Sequence, residues 1–230
     1  MIKIDSKLLV IDNFLPQLDF ILPKIQEVPL YELEEYNVKF NKKESWPGKR
    51  SQSLIFENPI LYAYVMEVVL KKVDVLKNTK FTCSMCLHLR RNEDVDKDWI
   101  HKDEDKFSSL IYLNKTNLNS GTKIYTDEKE ETADIKYLQN RFVMYNSYYN
   151  HVGYGYFGET SSNGRLTLNL FINTIWYFFM ARKVQSGHGT FIKRTNKKRP
   201  GRHSKRPNKR KDKKEYKGQG RKWCFIFGIH

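Results

Sequence analysis

The chain has 230 residues, of which 40% are hydrophobic and 29% are charged, and its formal net charge is +15. This length and composition predict one domain with a full hydrophobic core. The charge is unevenly placed, since residues 1–181 carry 23 basic and 24 acidic side chains whereas residues 182–230 carry 18 basic and 2 acidic ones. The folded part is therefore close to neutral, which excludes a strongly basic domain and assigns the excess charge to a tail.

Cysteine usage and hydropathy argue against a secreted or membrane protein. The chain has three cysteines, and Cys83 and Cys86 have zinc-like spacing without a second pair, so thiols buried in a strand are the favoured interpretation. Residues 1–5 lack a signal-peptide pattern. Residues 166–181 are apolar, but three polar residues interrupt them, so they fall short of a transmembrane span. We therefore expect a cytoplasmic protein with no membrane contact.

The first fifty residues are predicted to form a strand, a helix, a second strand and a turn. Residues 7–13 are a short apolar run typical of a strand. Residues 14–28 have apolar side chains at helical spacing, with Pro23 as a kink or break. Residues 31–40 alternate enough to predict a strand, and the Trp-Pro-Gly sequence within residues 46–50 predicts a turn.

A second helix and a series of strands follow. Asn58 can cap the helix, Pro59 suits its first position, and the helix is predicted to end at about Val73. From Phe81 onward the apolar residues recur with period two, and polar loops separate five strand-like runs. The runs are residues 81–89, 107–113, 121–125, 141–146 and 165–179.

This order of elements predicts an α+β, mainly β fold for residues 1–181. Many short strands after an α-helical opening favour a barrel or a double-sheet jelly roll, the double-stranded β-helix, with supporting N-terminal helices packed outside. A jelly roll encloses a cavity, so inward side chains on facing strands can converge on one ion.

Residues 153–158 read Gly-Tyr-Gly-Tyr-Phe-Gly and match the glycine pattern of dinucleotide-binding proteins. That pattern works only between a strand and the N-terminus of a helix, with an acidic residue about 20 positions later. Here a polar loop and a strand are predicted to follow, and aromatic residues 176–179 stand where the acid is needed. We therefore expect these glycines to bend a loop beside a metal site.

The metal site is predicted from His101, Asp103 and His151. On a strand, side chains two residues apart point to the same face, so the imidazole of His101 and the carboxylate of Asp103 can reach one ion. Each residue alone is more often a surface or packed side chain. Together they provide the two histidines and one carboxylate of non-haem Fe(II) oxygenases, which leave metal positions open for a co-substrate and O2.

Arg165 is the candidate anchor for a chelating keto acid. In residues 165–171 polar side chains alternate with leucines, so Arg165 and Thr167 share one face and the leucines share the other. An arginine that faces into a barrel is costly without a carboxylate partner, and no fixed acid is evident on a neighbouring strand. The second carboxylate of 2-oxoglutarate suits the guanidinium, which can grip it in bidentate fashion.

Across about residues 81–175 the sequence resembles the Fe(II)/2-oxoglutarate dioxygenases of the prolyl 4-hydroxylase type. The motifs that carry the resemblance are His101-x-Asp103, Leu110-Ile111-Tyr112-Leu113-Asn114, Ser120-Gly121-Thr122, His151 and Arg165. Residues 10–16 are also similar to N-termini in that group. Two departures concern the substrate: the interval from His151 to Arg165 is long, and Ser120-Gly121 replaces the usual glycine pair.

The resemblance implies the ligands, the co-substrates and the reaction. His101, Asp103 and His151 would be the catalytic iron ligands, and Arg165 and Tyr112 would bind the distal carboxylate of 2-oxoglutarate, with Thr167 a further contact by its position. Fe(2+), 2-oxoglutarate and O2 would hydroxylate a C–H bond of a protein or peptide, a prolyl residue first, with release of succinate and CO2. The alternatives are the same chemistry on a nucleobase, or a metal-free jelly roll that tethers RNA.

Residues 182–230 are predicted to be a basic tail. Residues 193–222 are dense in lysine and arginine, contain prolines and glycines and have little apolar content, so we expect disorder in isolation. Such spaced cations suit phosphate backbones, which predicts contact with RNA or the ribosome, a solubilising end being the plain alternative. The oligomeric state is left open.

Overall fold

Eleven β-strands, five α-helices and one 3-10 helix (Asn92–Lys97) make up the part of the chain that the computed structural model describes, residues 2–4, 8–97 and 99–175. The strands are β1 (Ile2–Ile4), β2 (Leu8–Ile11), β3 (Tyr31–Glu32), β4 (Lys49–Arg50), β5 (Phe81–Arg90), β6 (Phe107–Tyr112), β7 (Asn117–Tyr125), β8 (Glu131–Tyr137), β9 (Phe142–Asn146), β10 (Asn150–Tyr154) and β11 (Arg165–Thr174). The helices are α1 (Leu18–Gln26), α2 (Leu33–Phe40), α3 (Leu54–Glu57), α4 (Pro59–Lys72) and α5 (Asp74–Lys77).

The start signal of α4 is confirmed. The side chain of Asn58 accepts a hydrogen bond from the backbone N–H of Leu61 at 3.0 Å, and Pro59 occupies the first helical position. The cap satisfies a backbone donor that has no partner within the helix, and proline has no N–H to satisfy there. Helix α1 continues through Pro23 rather than breaking at it.

The predicted strand over residues 31–40 is wrong. The extended part ends at Glu32, and residues 33–40 form α2. Tyr36 and Phe40 lie four residues apart on one helical face and contact each other, with ring centroids 4.8 Å apart. Tyr36 also contacts Trp46 edge-on at 4.7 Å. Aromatic packing on one face of a helix therefore determines the structure of this segment, and the alternation of the sequence does not reveal such packing.

The strand order defines a double-sheet jelly roll, which confirms the predicted fold class. The larger sheet has the order β1-β2-β9-β6-β11-β5-β4-β3, and the smaller has the order β10-β7-β8, with every pairing antiparallel. A bridge between His101 and His151 adds the segment around His101 to the edge of the smaller sheet. Four-stranded sets from the two sheets thereby face each other, as a jelly roll requires.

The two faces of the larger sheet carry different cores. Its outer face packs Leu166, Leu168 and Leu170 of β11 against helical residues that include Val65 and Val69. Its inner face meets the smaller sheet through a second cluster. That cluster contains Leu110, Tyr112, Val143 and Tyr145 from the larger sheet and Ile124, Ile135 and Tyr137 from the smaller. The predicted split of β11, with leucines on one side and polar residues on the other, is confirmed.

Two strands of the smaller sheet, β8 and β10, were not predicted from the sequence. Strand β8 alternates Ala133, Ile135 and Tyr137 with polar residues, but three of its seven residues are charged, and β10 is only five residues long. Both exist because they pair with β7. Strand β10 is the one that places His151.

We expect Leu168→Ala to destabilise the protein by about 2–5 kcal/mol, because Leu168 is fully buried in the outer core and truncation leaves a cavity. Urea denaturation should show a lower midpoint at an unchanged slope. The matched control is Leu118→Ala in β7, where the side chain is 61% exposed and the expected change is within about 0.5 kcal/mol. Equal losses in the two variants would contradict the described core.

Some predictions concern residues outside the described ranges. They are the end of the last strand, residues 176–179, and the basic tail, residues 182–230, including its phosphate-binding segment 193–222. Among the described residues, no helix has the length and apolar character needed to span a membrane.

Candidate metal centre and co-substrate pocket

His101, Asp103 and His151 come together at one edge of the smaller sheet. The backbones of His101 and His151 exchange two hydrogen bonds, of 3.1 and 2.9 Å, so the two rings lie side by side with centroids 4.4 Å apart. The backbone N–H of Asp103 donates to the carbonyl of Ser147 at 3.3 Å. The ligand atoms of the three side chains all lie within 4.8 Å of one another, close enough to share one ion.

Backbone carbonyls orient both imidazole rings. Nδ1 of His101 lies 2.9 Å from the carbonyl oxygen of Trp99, and Nδ1 of His151 lies 3.1 Å from that of Tyr149. A carbonyl oxygen only accepts, so each Nδ1 carries the proton and donates it. Once an Nε2 carries no proton, its lone pair is available to a metal, which is the arrangement that metal-binding histidines use.

Asp103 is held in its ionised form. Its Oδ2 lies 3.3 Å from Nε2 of His151, and Oδ1 lies 3.8 Å from Nε2 of His101. Ser108 donates a hydrogen bond to Oδ2 and lies 2.8 Å from the hydroxyl of Ser147. Burial acts to raise the pKa of Asp103, but His151, Ser108 and His101 together outweigh it and lower the pKa to about 2.

The three side chains fit a divalent ion bound from one side. His151 and Asp103 are 7% and 19% exposed, whereas His101 is 36% exposed and forms the outer edge. Two neutral imidazoles and one carboxylate leave a divalent ion with a net positive charge and open coordination positions. The three residues line a cavity of about 460 Å³ together with Arg165 and Thr167.

Arg165 enters this cavity from the first position of β11. It is 5% exposed, and its Nη2 donates to the carbonyl of Gly121 at 3.0 Å and to the hydroxyl of Thr122 at 3.3 Å. Its Nε is buried and has no acceptor among the described residues. The rings of Tyr112, Tyr137 and Tyr156 surround the guanidinium at 5.7–5.8 Å. A buried guanidinium with a free donor calls for an anionic ligand.

Tyr112 and Thr167 have partners within the protein. The hydroxyl of Tyr112 is fully buried and reaches the hydroxyl of Thr122 at 2.9 Å and the carbonyl of Ile135 at 3.2 Å, while Thr122 itself lines the cavity. The hydroxyl of Thr167 lies on the cavity wall and contacts Oδ1 of Asn169 at 2.8 Å. In this arrangement Tyr112 fixes the Thr122 hydroxyl beside Arg165, and a direct contact of Tyr112 with a ligand stays a prediction.

The glycine-rich loop does not precede a helix, which confirms that residues 153–158 are not a dinucleotide-binding motif. Gly153 lies in β10, and residues 155–164 reach β11 as turns and irregular chain. Gly155 and Gly158 have φ angles of +67° and +62°, which favour glycine. A side chain at Gly153 would place its Cβ 3.2 Å from Nη2 of Arg165, so this glycine makes room for the guanidinium.

The site contains further polar residues that the predicted ligand set does not include. Ser108 and Ser147 support Asp103 through hydroxyl groups that have no motif around them. His88 is buried on the cavity wall with its Nε2 2.7 Å from the carbonyl of Pro47, and burial, followed by the positive charges of Arg50 and Arg90, lowers its pKa well below the usual value. Only the pairing of distant strands brings Ser108 and His88 to one cavity.

Cys83 and Cys86 lie on opposite sides of β5. Cys83 packs against the outer core, and Cys86 lines the cavity. Burial raises the pKa of both thiols, that of Cys83 to about 12, so both stay protonated near neutral pH. This geometry fits buried strand thiols and does not suit a shared zinc ion.

The chain was compared with protein families, curated proteins and solved structures. No family model matches the chain, and neither does any curated protein. A prolyl hydroxylase from Trichoplax adhaerens, solved with a hypoxia inducible factor peptide fragment, is similar at 14% identity and TM-score 0.47, covering 73% of this chain and 84% of its own. A Pseudomonas putida prolyl-4-hydroxylase is similar at 13% identity and TM-score 0.42, covering 73% of this chain and 94% of its own.

A third similar structure is HygX from Streptomyces hygroscopicus, solved with nickel, 2-oxoglutarate and hygromycin B. It has 8% identity and TM-score 0.48, and the match covers 72% of this chain and 82% of its own. All three TM-scores are below 0.5, so the jelly-roll assignment rests on the strand order and not on these similarities.

Proposed function

We propose that the chain is an Fe(II)- and 2-oxoglutarate-dependent dioxygenase that hydroxylates a C–H bond. One observation carries the proposal. The cluster of His101, Asp103 and His151 opens into the same cavity as Arg165, whose buried Nε lacks an acceptor among the described residues. A metal-binding face and a buried cation in one cavity suit a co-substrate that chelates with one end and carries a carboxylate at the other.

Each residue of the site has a distinct role in such a reaction. His101, Asp103 and His151 would hold the ion, and the carbonyls of Trp99 and Tyr149 keep both imidazoles in the binding tautomer. When bound, iron supplies the activation of O2, coupled to conversion of 2-oxoglutarate to succinate and CO2. Arg165, with the Thr122 hydroxyl beside it, would bind the distal carboxylate and so fix where the keto acid lies.

A protein or peptide is the proposed substrate, with a prolyl residue as the first target. The support is a rim of exposed apolar side chains beside the metal ligands, formed by Trp99, Ile100 and Tyr148. Such a rim gives a polymer contact area outside the cavity, whereas a small molecule needs only the cavity itself. A nucleobase substrate stays the alternative.

Anaerobic titration tests the assignment of the co-substrate. Adding Fe(II) and then 2-oxoglutarate to the full chain should produce the weak visible charge-transfer band of the iron chelate. Zinc in place of iron should give no band, because its filled d shell permits no such transition. Iron uptake without a band would show that the keto acid does not chelate, and no iron uptake would leave the metal-free RNA-tethering alternative.

Succinate release tests the substrate class. We expect prolyl peptides to raise succinate release above the uncoupled rate, and oligonucleotides to leave it unchanged. The matched control is the same peptide with alanine in place of proline. Stimulation by oligonucleotides instead would assign the chemistry to a nucleobase. RNA or ribosome contact through residues 193–222 stays a separate prediction.

A further inference from the structure

Arg50 is a second cation on the cavity wall, and among the described residues it has no anionic partner. It lies in β4, opposite His88 of β5. Its guanidinium carbon lies 4.8 Å from the centre of the Trp46 ring, and its Nε is buried without an acceptor. A buried charged donor without a partner costs free energy, so this position is suited to an anionic group of a ligand.

Trp46 provides a second donor on the same wall. Its side chain is 4% exposed, lines the cavity and keeps the indole N–H without an acceptor in the described part of the chain. The edge-on contact with Tyr36 and the stacked guanidinium of Arg50 hold the ring in place. The two donors are therefore fixed before a ligand binds, which reduces the entropic cost of binding.

Arg50 lies away from the carboxylate that Arg165 would bind. Strand β4 is two strands from β11, and neighbouring strands are about 4.8 Å apart, so the two backbones are separated by about 10 Å across the sheet. They are also offset along it, since Arg165 pairs with Arg90 whereas Arg50 pairs with His88. Arg50 thus lies on a different part of the cavity wall from Arg165.

Acidic side chains at the mouth of the cavity do not pair with Arg50. Glu44 and Glu104 are exposed and remain hydrated, and Asp105 accepts a hydrogen bond from Asn173 at 2.5 Å. Hydrated carboxylates have no need of a ligand, whereas the enclosed donors of Arg50 and Trp46 do. The balance favours an anionic over a cationic group of the substrate.

We propose that Arg50 and Trp46 bind a carboxylate of the substrate, so that the preferred substrate is a peptide with a glutamate or aspartate beside the hydroxylated residue. This inference rests on the proposed function for the position of the reacting C–H bond. The same carboxylate chemistry has a second source, the metal-bound end of 2-oxoglutarate, and the experiment separates the two.

Binding of small blocked peptides to the full chain, loaded with Zn(2+) and 2-oxoglutarate, tests the proposal without turnover. The probes are acetyl-Pro-Glu-amide, acetyl-Pro-Gln-amide and acetyl-Pro-Lys-amide, and calorimetry gives their dissociation constants. We expect the glutamate probe to bind about tenfold tighter than the glutamine probe, and Arg50→Gln to remove that preference. Trp46→Phe keeps an aromatic ring beside Arg50 but removes the indole N–H, so this variant should lose only part of the glutamate preference.

Lys115→Gln is the matched control, because it removes the same charge at an exposed position that does not line the cavity. It should keep the glutamate preference, which controls for the loss of one positive charge from the chain. Arg50→Lys, which keeps the charge, should retain part of the preference, and thermal melting checks that each variant folds.

Three results would overturn the proposal. They are an unchanged glutamate preference in a folded Arg50→Gln, tightest binding of the lysine probe, and a loss of 2-oxoglutarate affinity in Arg50→Gln, which would assign Arg50 to the co-substrate. Failure of the wild-type chain to bind 2-oxoglutarate at all would instead refute the proposed function together with this inference.

Discussion

Asp103→Asn is expected to weaken Fe(II) binding by more than about 100-fold and to abolish the charge-transfer band with 2-oxoglutarate. Loss of a group that merely supports a metal ligand costs about 10–100-fold in affinity, so loss of a ligand should cost more. The carboxamide keeps the shape of the side chain but lacks the negative charge and offers a poorer ligand oxygen. Equilibrium dialysis with Fe(II) measures the affinity, and anaerobic absorbance follows the band.

Asp105→Asn is the matched control for this variant. Asp105 also lines the cavity and lies two residues further along the chain. Its carboxylate is not one of the three groups whose ligand atoms lie within 4.8 Å of one another. It should bind iron as the wild type does. His101→Ala should reproduce the loss seen with Asp103→Asn. Near-normal iron binding by both ligand variants, with the fold intact by circular dichroism, would show that the metal lies elsewhere.

The second large effect is expected from Arg165→Ala, which should lower 2-oxoglutarate affinity by about 30-fold to more than 1,000-fold while iron binding is retained. Removing one partner of a buried charge pair costs about 2–5 kcal/mol, because the other charge is left without compensation. Titration of 2-oxoglutarate into the anaerobic iron protein, followed by the charge-transfer band, gives the affinity. Arg165→Lys keeps the charge but loses the bidentate geometry, so its 2-oxoglutarate affinity should lie between those of the wild type and Arg165→Ala.

A shortened ligand sharpens this experiment. 2-Oxobutyrate can chelate iron but lacks the distal carboxylate, so the wild type should bind it much more weakly than 2-oxoglutarate, and Arg165→Ala should bind both about equally. The control variant is Arg141→Gln, because Arg141 pairs with Asp12 outside the cavity. If Arg165→Ala still discriminated between the two keto acids, another group would have to bind the carboxylate.

The sequence was most informative where a local rule and a chemical requirement coincided. The alternation of Arg165 and Thr167 with leucines gave the correct faces of β11, because one face of the strand packs in the outer core and the other lines the cavity. Asn58 and Pro59 gave the correct start of α4, because capping depends only on neighbouring residues. The prediction of a strand over residues 31–40 was wrong, because aromatic contacts with Trp46 stabilise a helix there in spite of the alternating sequence.

By itself the sequence determined the mainly β fold class, the division of charge between residues 1–181 and 182–230, and the candidate set of His101, Asp103, His151 and Arg165. Only the tertiary structure decided that these four side chains line one cavity, that Tyr112 turns its hydroxyl to Thr122, and that Arg50 and Trp46 lie on the same wall. The physical reason is the distance along the chain over which the interactions act. Side-chain alternation and capping are set by neighbours along the chain, whereas the pairing of β10 with β7 and of β4 with β5 depends on the packing of the whole sheet.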